Sequence, residues 1–221
     1  MEGTLTDEIW EKVALNTGIE DLGKTTRDIP SYEELLDMRL KIMLKEGVKL
    51  SDVQKAASSV DLLPGALEFV SNLRKNFQVV ILSDTFHDIA KPLMKKLGYP
   101  FLLCHNLEIV DDEIVSYKLR HPKAKKQAIT AFMEMGYRCF AAGDSHNDIQ
   151  MFEVANQGFF MNAPDTISSK YPEIESFYNY DELEKAIISN SVFVNEWQIK
   201  VEKLWEAKIR DAQWRKKSPS S

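Results

Sequence analysis

From residue 61 onward, short apolar runs alternate with amphipathic stretches, and few architectures accept that rhythm. Pro64-Gly65 turns DLLPGALEFVSNLRKNF into a helix, and QVVILSD follows as a short β-branched run. That run has the composition of a strand buried on both faces. Next come a helix (DIAKPLMKKLG), a strand (FLLCH) and a hairpin (LEIVDDEIVSYKL). A helix (KKQAITAFMEMG), the strand RCFAAGD, a helix (NDIQMFEVA) and the strand GFFMNA complete the series. Such alternation predicts an open, mainly parallel α/β sheet. Ligands in these sheets bind beyond the carboxyl ends of the strands. Two polar clusters fall there, Ser83-Asp84-Thr85 and Gly143-Asp144-Ser145.

Residues Asp7 to Val60 lack strand patterns and read as a small helical bundle. DEIWEKVALNTG is amphipathic and closes on a glycine stop. IPSYEELLDMRLKIMLKEG opens at Pro and Ser with acids in its first turn, and LSDVQKAASSV follows with Ser51 as its expected cap. At the other end, Val194, Trp197, Val201, Leu204 and Trp205 recur at helical spacing. That apolar stripe either docks on the chain's own core or joins two copies in a homodimer. KKSPSS beyond it reads as a frayed tail. The expected division is a loop over 1–6, the bundle over 7–60, the α/β core over 61–190, and an amphipathic helix with tail over 191–221.

A net charge of −6 argues against general nucleic-acid binding. No apolar run reaches membrane-spanning length, and no basic-then-apolar leader opens the sequence, so a cytoplasmic location without a membrane partner is expected. Cys104 and Cys139 lack CxxC spacing and are expected as reduced core thiols. The four histidines are scattered, which disfavours a zinc site.

Three stretches carry chemistry. In ILSDT, Ser83 at a strand end and the backbone N–H groups after it can hold a phosphate oxygen, although a turn serine is the plainer reading. In AAGDSHND, Gly143 permits a tight turn, Asp144 projects a hard oxygen ligand, and Asn147 and Asp148 follow on the first helical turn. Mg²⁺ prefers such carboxylates, and an acidic helix cap is the alternative. In HPKAKKQAITAF, lysines stand at a helix start, where the macrodipole disfavours cations. A lysine needed there points to an anion nearby, against the plainer reading of a solvated basic face.

Together and in this order, these stretches resemble motifs two, three and four of the haloacid-dehalogenase-like (HAD) phosphatases. The first motif of that superfamily is an apolar strand ending in D-x-D-G-T-L or a variant. Here EGTL resembles its second half, with Glu2 in the second acidic position and Met1 as the x. The nucleophilic aspartate would fall immediately before Met1. The expectation is therefore that the end of the first strand and the nucleophile lie upstream of the sequence as given. A helical insertion after motif one, the SDTF form of motif two and Glu at the second acid position resemble the phosphoserine phosphatase branch. The likeness is greatest to its bifunctional phosphoserine:homoserine phosphotransferase (ThrH-type) members. TGIEDLGKTTRDIPSYEELLDMRLKI, FQVVILSDTF and LCHNLEI read like that branch, over about residues 1–187.

The resemblance implies a Rossmannoid parallel-sheet core with the helical bundle inserted as a cap after motif one. It also implies Mg²⁺ as cofactor and a small phosphorylated amino acid as substrate. Dephosphorylation of phosphoserine would pass through an aspartyl-phosphate, with water or the homoserine hydroxyl as acceptor. Glu2 would serve as general acid and base. Ser83 and Lys125 would bind phosphate, with Lys126 and Lys123 as runners-up to Lys125. Met1 (through its carbonyl), Glu2, Asp144 and Asp148 would serve the metal. Arg39 would clamp the substrate carboxylate and Glu8 its ammonium, with Asp84, Thr85 and Asn147 nearby. A phosphatase of another small phosphomonoester and a catalytically dead binding protein are the competing readings.

Overall fold

The structure, a computed structural model, describes residues 1–26 and 28–191, so the expected helix beyond 191 lies outside the described residues. Met1–Glu184 forms one compact unit that carries every site residue discussed below, and Lys185–Ser221 forms a second. No helix among the described residues is long and apolar enough to cross a membrane.

The segment ahead of residue 61 holds α1 (Ile9–Thr17), a 3₁₀ turn, α2 (Tyr32–Glu46) and α3 (Leu50–Ser58). Gly18 and Gly47 end α1 and α2 in the left-handed region at φ 72° and 69°, and Ser31 accepts from the Glu34 amide at the start of α2. Ser51 does not cap α3, contrary to the sequence expectation. Lys49 occupies the N-cap, its amide held by the Asp52 carboxylate at 3.0 Å. Ser51 instead spends its amide and hydroxyl on Asp112, at 3.1 and 2.6 Å.

The core continues through α4 (Ala66–Leu73), β1 (Val80–Phe86), α5 (His87–Lys96), β2 (Phe101–Val110) and β3 (Glu113–Lys118). It ends with α6 (Ala124–Glu134), β4 (Phe140–Gly143), α7 (Ile149–Phe152), β5 (Gln157–Met161), α8 (Asp165–Ser168), β6 (Ser176–Phe177) and α9 (Tyr180–Ser191). FLLCH and the first hairpin arm are one strand, β2, which pairs parallel with β1 and then antiparallel with β3. α8 and β6 are too short to show a period in the sequence.

The strands form two three-stranded sheets, β1-β2-β3 and β4-β5-β6. The pairings β1–β2, β4–β5 and β5–β6 are parallel. Among the described residues no backbone ladder joins β1 to β4. Packing brings them together, because Leu82 of β1 lies against the cluster of Ile129, Cys139, Ala141, Phe152 and Phe160. β1 was expected to be buried on both faces, but it alternates: Ile81, Ser83 and Thr85 are buried while Val80, Leu82 and Asp84 are half-buried. A cavity of about 230 Å³ lined by Leu82, Leu103, Cys104 and Ala128 lies between this strand and α6. Both thiols are free and buried.

The helical bundle rests on the core along two lines. α3 packs on α5, and α2 packs on β3, where Tyr117 donates to Asp37 at 2.8 Å. At the hairpin tip Asp111 and Asp112 adopt left-handed φ of 49° and 66°, and Asp112 faces the first turn of α3. Its carboxylate thus satisfies a helix-start amide from another segment. Asp112→Ala removes both side-chain bonds to Ser51 and is expected to cost about 1 kcal/mol, the scale of a lost cap. A urea unfolding midpoint measures the loss, with faster hydrogen exchange at the Ser51 amide.

Candidate active site

The loop that opens the chain lies against Asp144, just beyond the carboxyl end of β4. Met1 gives its carbonyl to the amides of Leu5 and Thr6 at 2.7 and 3.3 Å, and Gly3 donates to the Thr6 carbonyl at 2.9 Å. Gly3 has φ 73°, and a Cβ there would fall 2.3 Å from Asp144 Oδ2. Only glycine lets the loop approach that carboxylate so closely. Thr4 donates its hydroxyl to Asp144 Oδ1 at 2.7 Å.

On β1 the ladder to β2 breaks between Leu82 and Phe86, so Ser83-Asp84-Thr85 form an irregularity in the strand. Such bulges re-aim side chains and free backbone donors. Asp84 Oδ2 meets Lys125 Nζ at 2.9 Å, and its Oδ1 lies 3.7 Å from Nε2 of the buried His105. Lys125, on the first turn of α6, also meets Asp148 Oδ1 at 2.9 Å. The other Asp148 oxygen accepts from the Asp144 amide and from the Ser145 amide and hydroxyl, at 3.1, 3.0 and 3.0 Å. Gly143 is obligatory beneath it, since a Cβ would lie 2.4 Å from the Asp148 carboxylate.

These placements sort the expected residues. Of the three lysines only Lys125 enters the site; Lys126 pairs with Glu153 at 3.2 Å and Lys123 is exposed at the start of α6. Asp148 has its oxygens engaged by protein donors, so it orients the Asp144 loop and Lys125. Thr85 is buried within the strand, while Asn147 is exposed on the 3₁₀ turn His146–Asp148. Arg39 is 4% exposed and stacks over the Trp10 ring at 4.2 Å. It donates through Nη2 to the Lys24 carbonyl, and among the described residues its Nε has no hydrogen-bond partner. Burial pulls the Arg39 guanidinium down to about 10, against the opposing pull of the Glu2 and Glu8 carboxylates.

Electrostatics divide the carboxylates. Burial alone would raise Asp84, but His105 and Lys125 hold it well below the usual range. Lys125 likewise outweighs burial at Asp148 and lowers it. Burial would lower Lys125 itself, but Asp148 and Asp84 raise it. Asp144 and Glu2 move the other way. Burial raises both, although Thr4 opposes the shift at Asp144 and the Ile9 amide, which donates to Glu2 Oε1 at 2.9 Å, opposes it at Glu2.

Sequence reasoning passed over three participants. Thr4 stood inside EGTL, where its hydroxyl was a readable signal. Tyr32, whose hydroxyl donates to the Asp84 carbonyl from the start of α2, and His105 carried no local signal.

Removing the cation leaves two inward carboxylates facing each other. Lys125→Met is expected to destabilise the fold by about 3–5 kcal/mol at pH 7, as breaking a buried pair does. Asp84 and Asp148 are depressed when folded, so the stability they contribute is present above their unfolded values and lost as pH falls through the folded ones. The gap between wild type and variant therefore narrows in acid. Urea titrations from pH 7 down to pH 3 measure it.

The haloacid dehalogenase-like hydrolase family model matches residues 1–156. A phosphoserine phosphatase of Pseudomonas syringae is 48% identical over 193 residues, 86% of this chain and 81% of that protein. The phosphoserine phosphatase ThrH of Pseudomonas aeruginosa is 45% identical over 192 residues, 86% and 94% of the two chains. Among solved structures, the phosphoserine phosphatase from T. onnurineus in complex with NDSB-201 superposes with a TM-score of 0.66 at 25% identity, covering 84% of this chain and 90% of that one. A substrate-bound phosphoserine phosphatase reaches 0.67 over 83% and 92% at 19% identity, a likeness of fold. With its family match over most of its length and close relatives over 86% of it, the chain belongs to the haloacid dehalogenase-like hydrolases.

Proposed function

We propose that this site dephosphorylates O-phosphoserine with Mg²⁺ bound, by way of an aspartyl-phosphate, and passes the phosphoryl group to water or to the homoserine hydroxyl. The observation that carries this reading is Lys125, a buried cation held at 2.9 Å from carboxylates on two strand ends, beside Ser83 and the Asp144 loop. A carboxylate attacking a phosphate dianion meets repulsion of about 4 kcal/mol per unit pair at 4 Å and an effective dielectric near 20. A fixed cation offsets that cost. The names of the relatives at 48% and 45% identity support the choice of phosphoserine.

Asp144 fits a metal. It is 8% exposed, its hydrogen bond from Thr4 is neutral, and Lys125 makes its ion pairs with Asp84 and Asp148 instead. The described residues gather no cluster of three metal-ligating His, Cys, Asp or Glu side chains. Mg²⁺ commonly takes only one or two carboxylates and keeps several waters. Asp144 would hold it, with Glu2 and the Met1 carbonyl as the further positions that the family motif implies and Asp148 as support. Magnesium, when bound, supplies Lewis-acid stabilisation of the phosphoryl oxygens.

The chain's own residues do the rest. The Ser83 hydroxyl and the backbone amides of the β1 irregularity donate to a phosphate oxygen. Glu2, favoured in its protonated form by burial, gives a proton to the departing serine oxygen and takes one from the acceptor. The bundle over 7–60 covers the site and excludes water. Within it Arg39 offers its unpartnered Nε to the substrate carboxylate, with Glu8 for the ammonium.

In the family motif the attacking aspartate stands two positions before the second acid, which Glu2 matches. Phosphate release from phosphoserine is expected to require Mg²⁺; equal turnover without the metal would remove it from the reaction, and no turnover with it would favour a binding protein. In the active chain, Arg39→Ala is expected to weaken kcat/KM for phosphoserine by about 2–5 kcal/mol. It should leave an ester without a carboxylate nearly unchanged. Equal losses on both substrates would remove the clamp.

A further inference from the structure

We infer that Tyr180, beyond the stretch the family model matches, is a positioning residue that sets the direction of the Asp144 carboxylate through Thr4. The inference rests on the reading of Asp144 as the metal carboxylate. Tyr180 opens α9, and its hydroxyl donates to the Thr4 carbonyl at 2.7 Å, across 176 positions of sequence. From the same residue the Thr4 hydroxyl donates to Asp144 Oδ1 at 2.7 Å. All three residues are buried.

The Tyr180 ring has little freedom. It stacks on Phe69 with centroids 4.9 Å apart and planes 24° from parallel. Gly65 lies near it, where a Cβ would come to 3.3 Å from the ring. The loop that bears Thr4 bonds mostly to itself, through Met1, Gly3, Leu5 and Thr6. Its backbone is tied to the core by Leu63 donating to the Leu5 carbonyl, Asp7 donating to the Asp61 carbonyl, and this hydroxyl on the Thr4 carbonyl, beside the side-chain bonds of Thr4 to Asp144 and of Glu2 from the Ile9 amide. A hydroxyl buried without a partner is costly, so a ring that merely filled space would serve as well or better as phenylalanine. A backbone carbonyl pinned by a clamped ring fixes the Thr4 backbone, and with it the aim of the Thr4 hydroxyl. Groups that orient a ligating carboxylate tune metal affinity.

The test uses Mn²⁺ as a paramagnetic probe for the Mg²⁺ position, titrated into the 221-residue chain and read by electron paramagnetic resonance without turnover. Tyr180→Phe keeps the ring and its stacking, and is expected to weaken Mn²⁺ binding about three- to tenfold, somewhat less than a group bonded directly to the ligand would. Thr4→Val is expected to weaken it at least as much, and Thr4→Ser, which keeps the hydroxyl, to restore it. Because Tyr180 acts through Thr4, the double variant Tyr180→Phe/Thr4→Val should bind no more weakly than Thr4→Val alone. Wild-type affinity in Tyr180→Phe, or losses that multiply in the double variant, would overturn the inference while leaving Asp144 its metal role. Equal binding by wild type and Asp144→Asn, or none by wild type, would overturn both. Circular dichroism of each variant confirms the fold, and Thr4→Ser against Thr4→Val carries the comparison within one position if Tyr180→Phe unfolds.

Discussion

Lys125 reaches from the first turn of α6 to carboxylates on two sheets that share no ladder among the described residues. Its amine lies 2.9 Å from both Asp84, on β1, and Asp148, after β4. A cation at a helix start is disfavoured by the macrodipole, and burying one without partners costs several kcal/mol. Two anions reverse that balance and draw the strand ends together. Asp148 carries the pull onward, because its second oxygen gathers the amides of Asp144 and Ser145. The turn after β4 and the irregularity in β1 thus share one electrostatic centre. Hydrophobic packing of Leu82 against the β4–β5 cluster brings the sheets near each other, but it has no directional preference. The ion pairs supply direction.

The helical bundle joins the same centre at its helix starts. Ile9, the first residue of α1, donates to Glu2, and Tyr32, the first residue of α2, donates to the Asp84 carbonyl. α3 begins at the hairpin tip, where Asp112 receives it. α1 and α3 thus give helix-start amides, which need acceptors, to carboxylates of Glu2 and Asp112, while α2 uses the Tyr32 hydroxyl. Arg39 stands among them as a buried cation with a donor left over. In the proposed reaction that spare donor is where a substrate carboxylate finds its partner.

Local chemistry made part of this legible in the sequence. The apolar runs and glycine stops located β1, β4, β5, α1 and α2. The lysines at the head of α6 marked an anion site because the dipole makes a cation there costly, and AAGDSHND marked a turn rich in carboxylates. What stayed hidden depends on segments far apart in sequence. Ser51 has the chemistry of a cap, but an aspartate 61 positions away competes for its amide and hydroxyl. Tyr32 and Tyr180 reach the site from helix starts, where nothing local distinguishes them from packing residues. His105 lies within a strand otherwise read as core. The separation into two sheets was equally invisible, because strand composition reports burial rather than partners.

The carboxylates around this centre fall into two groups, and geometry explains the division. Asp84 and Asp148 touch Lys125 and are held ionised. Among the described residues Asp144 and Glu2 make ion pairs with neither lysine nor arginine, and burial raises both. At Asp144 the hydroxyl of Thr4 opposes that shift. Glu2 is constrained differently. The Ile9 amide occupies Oε1, which leaves Oε2 as the oxygen on which a proton is least opposed. That amide belongs to the first turn of α1, so the start of the bundle and the carboxyl group of Glu2 meet in one backbone hydrogen bond.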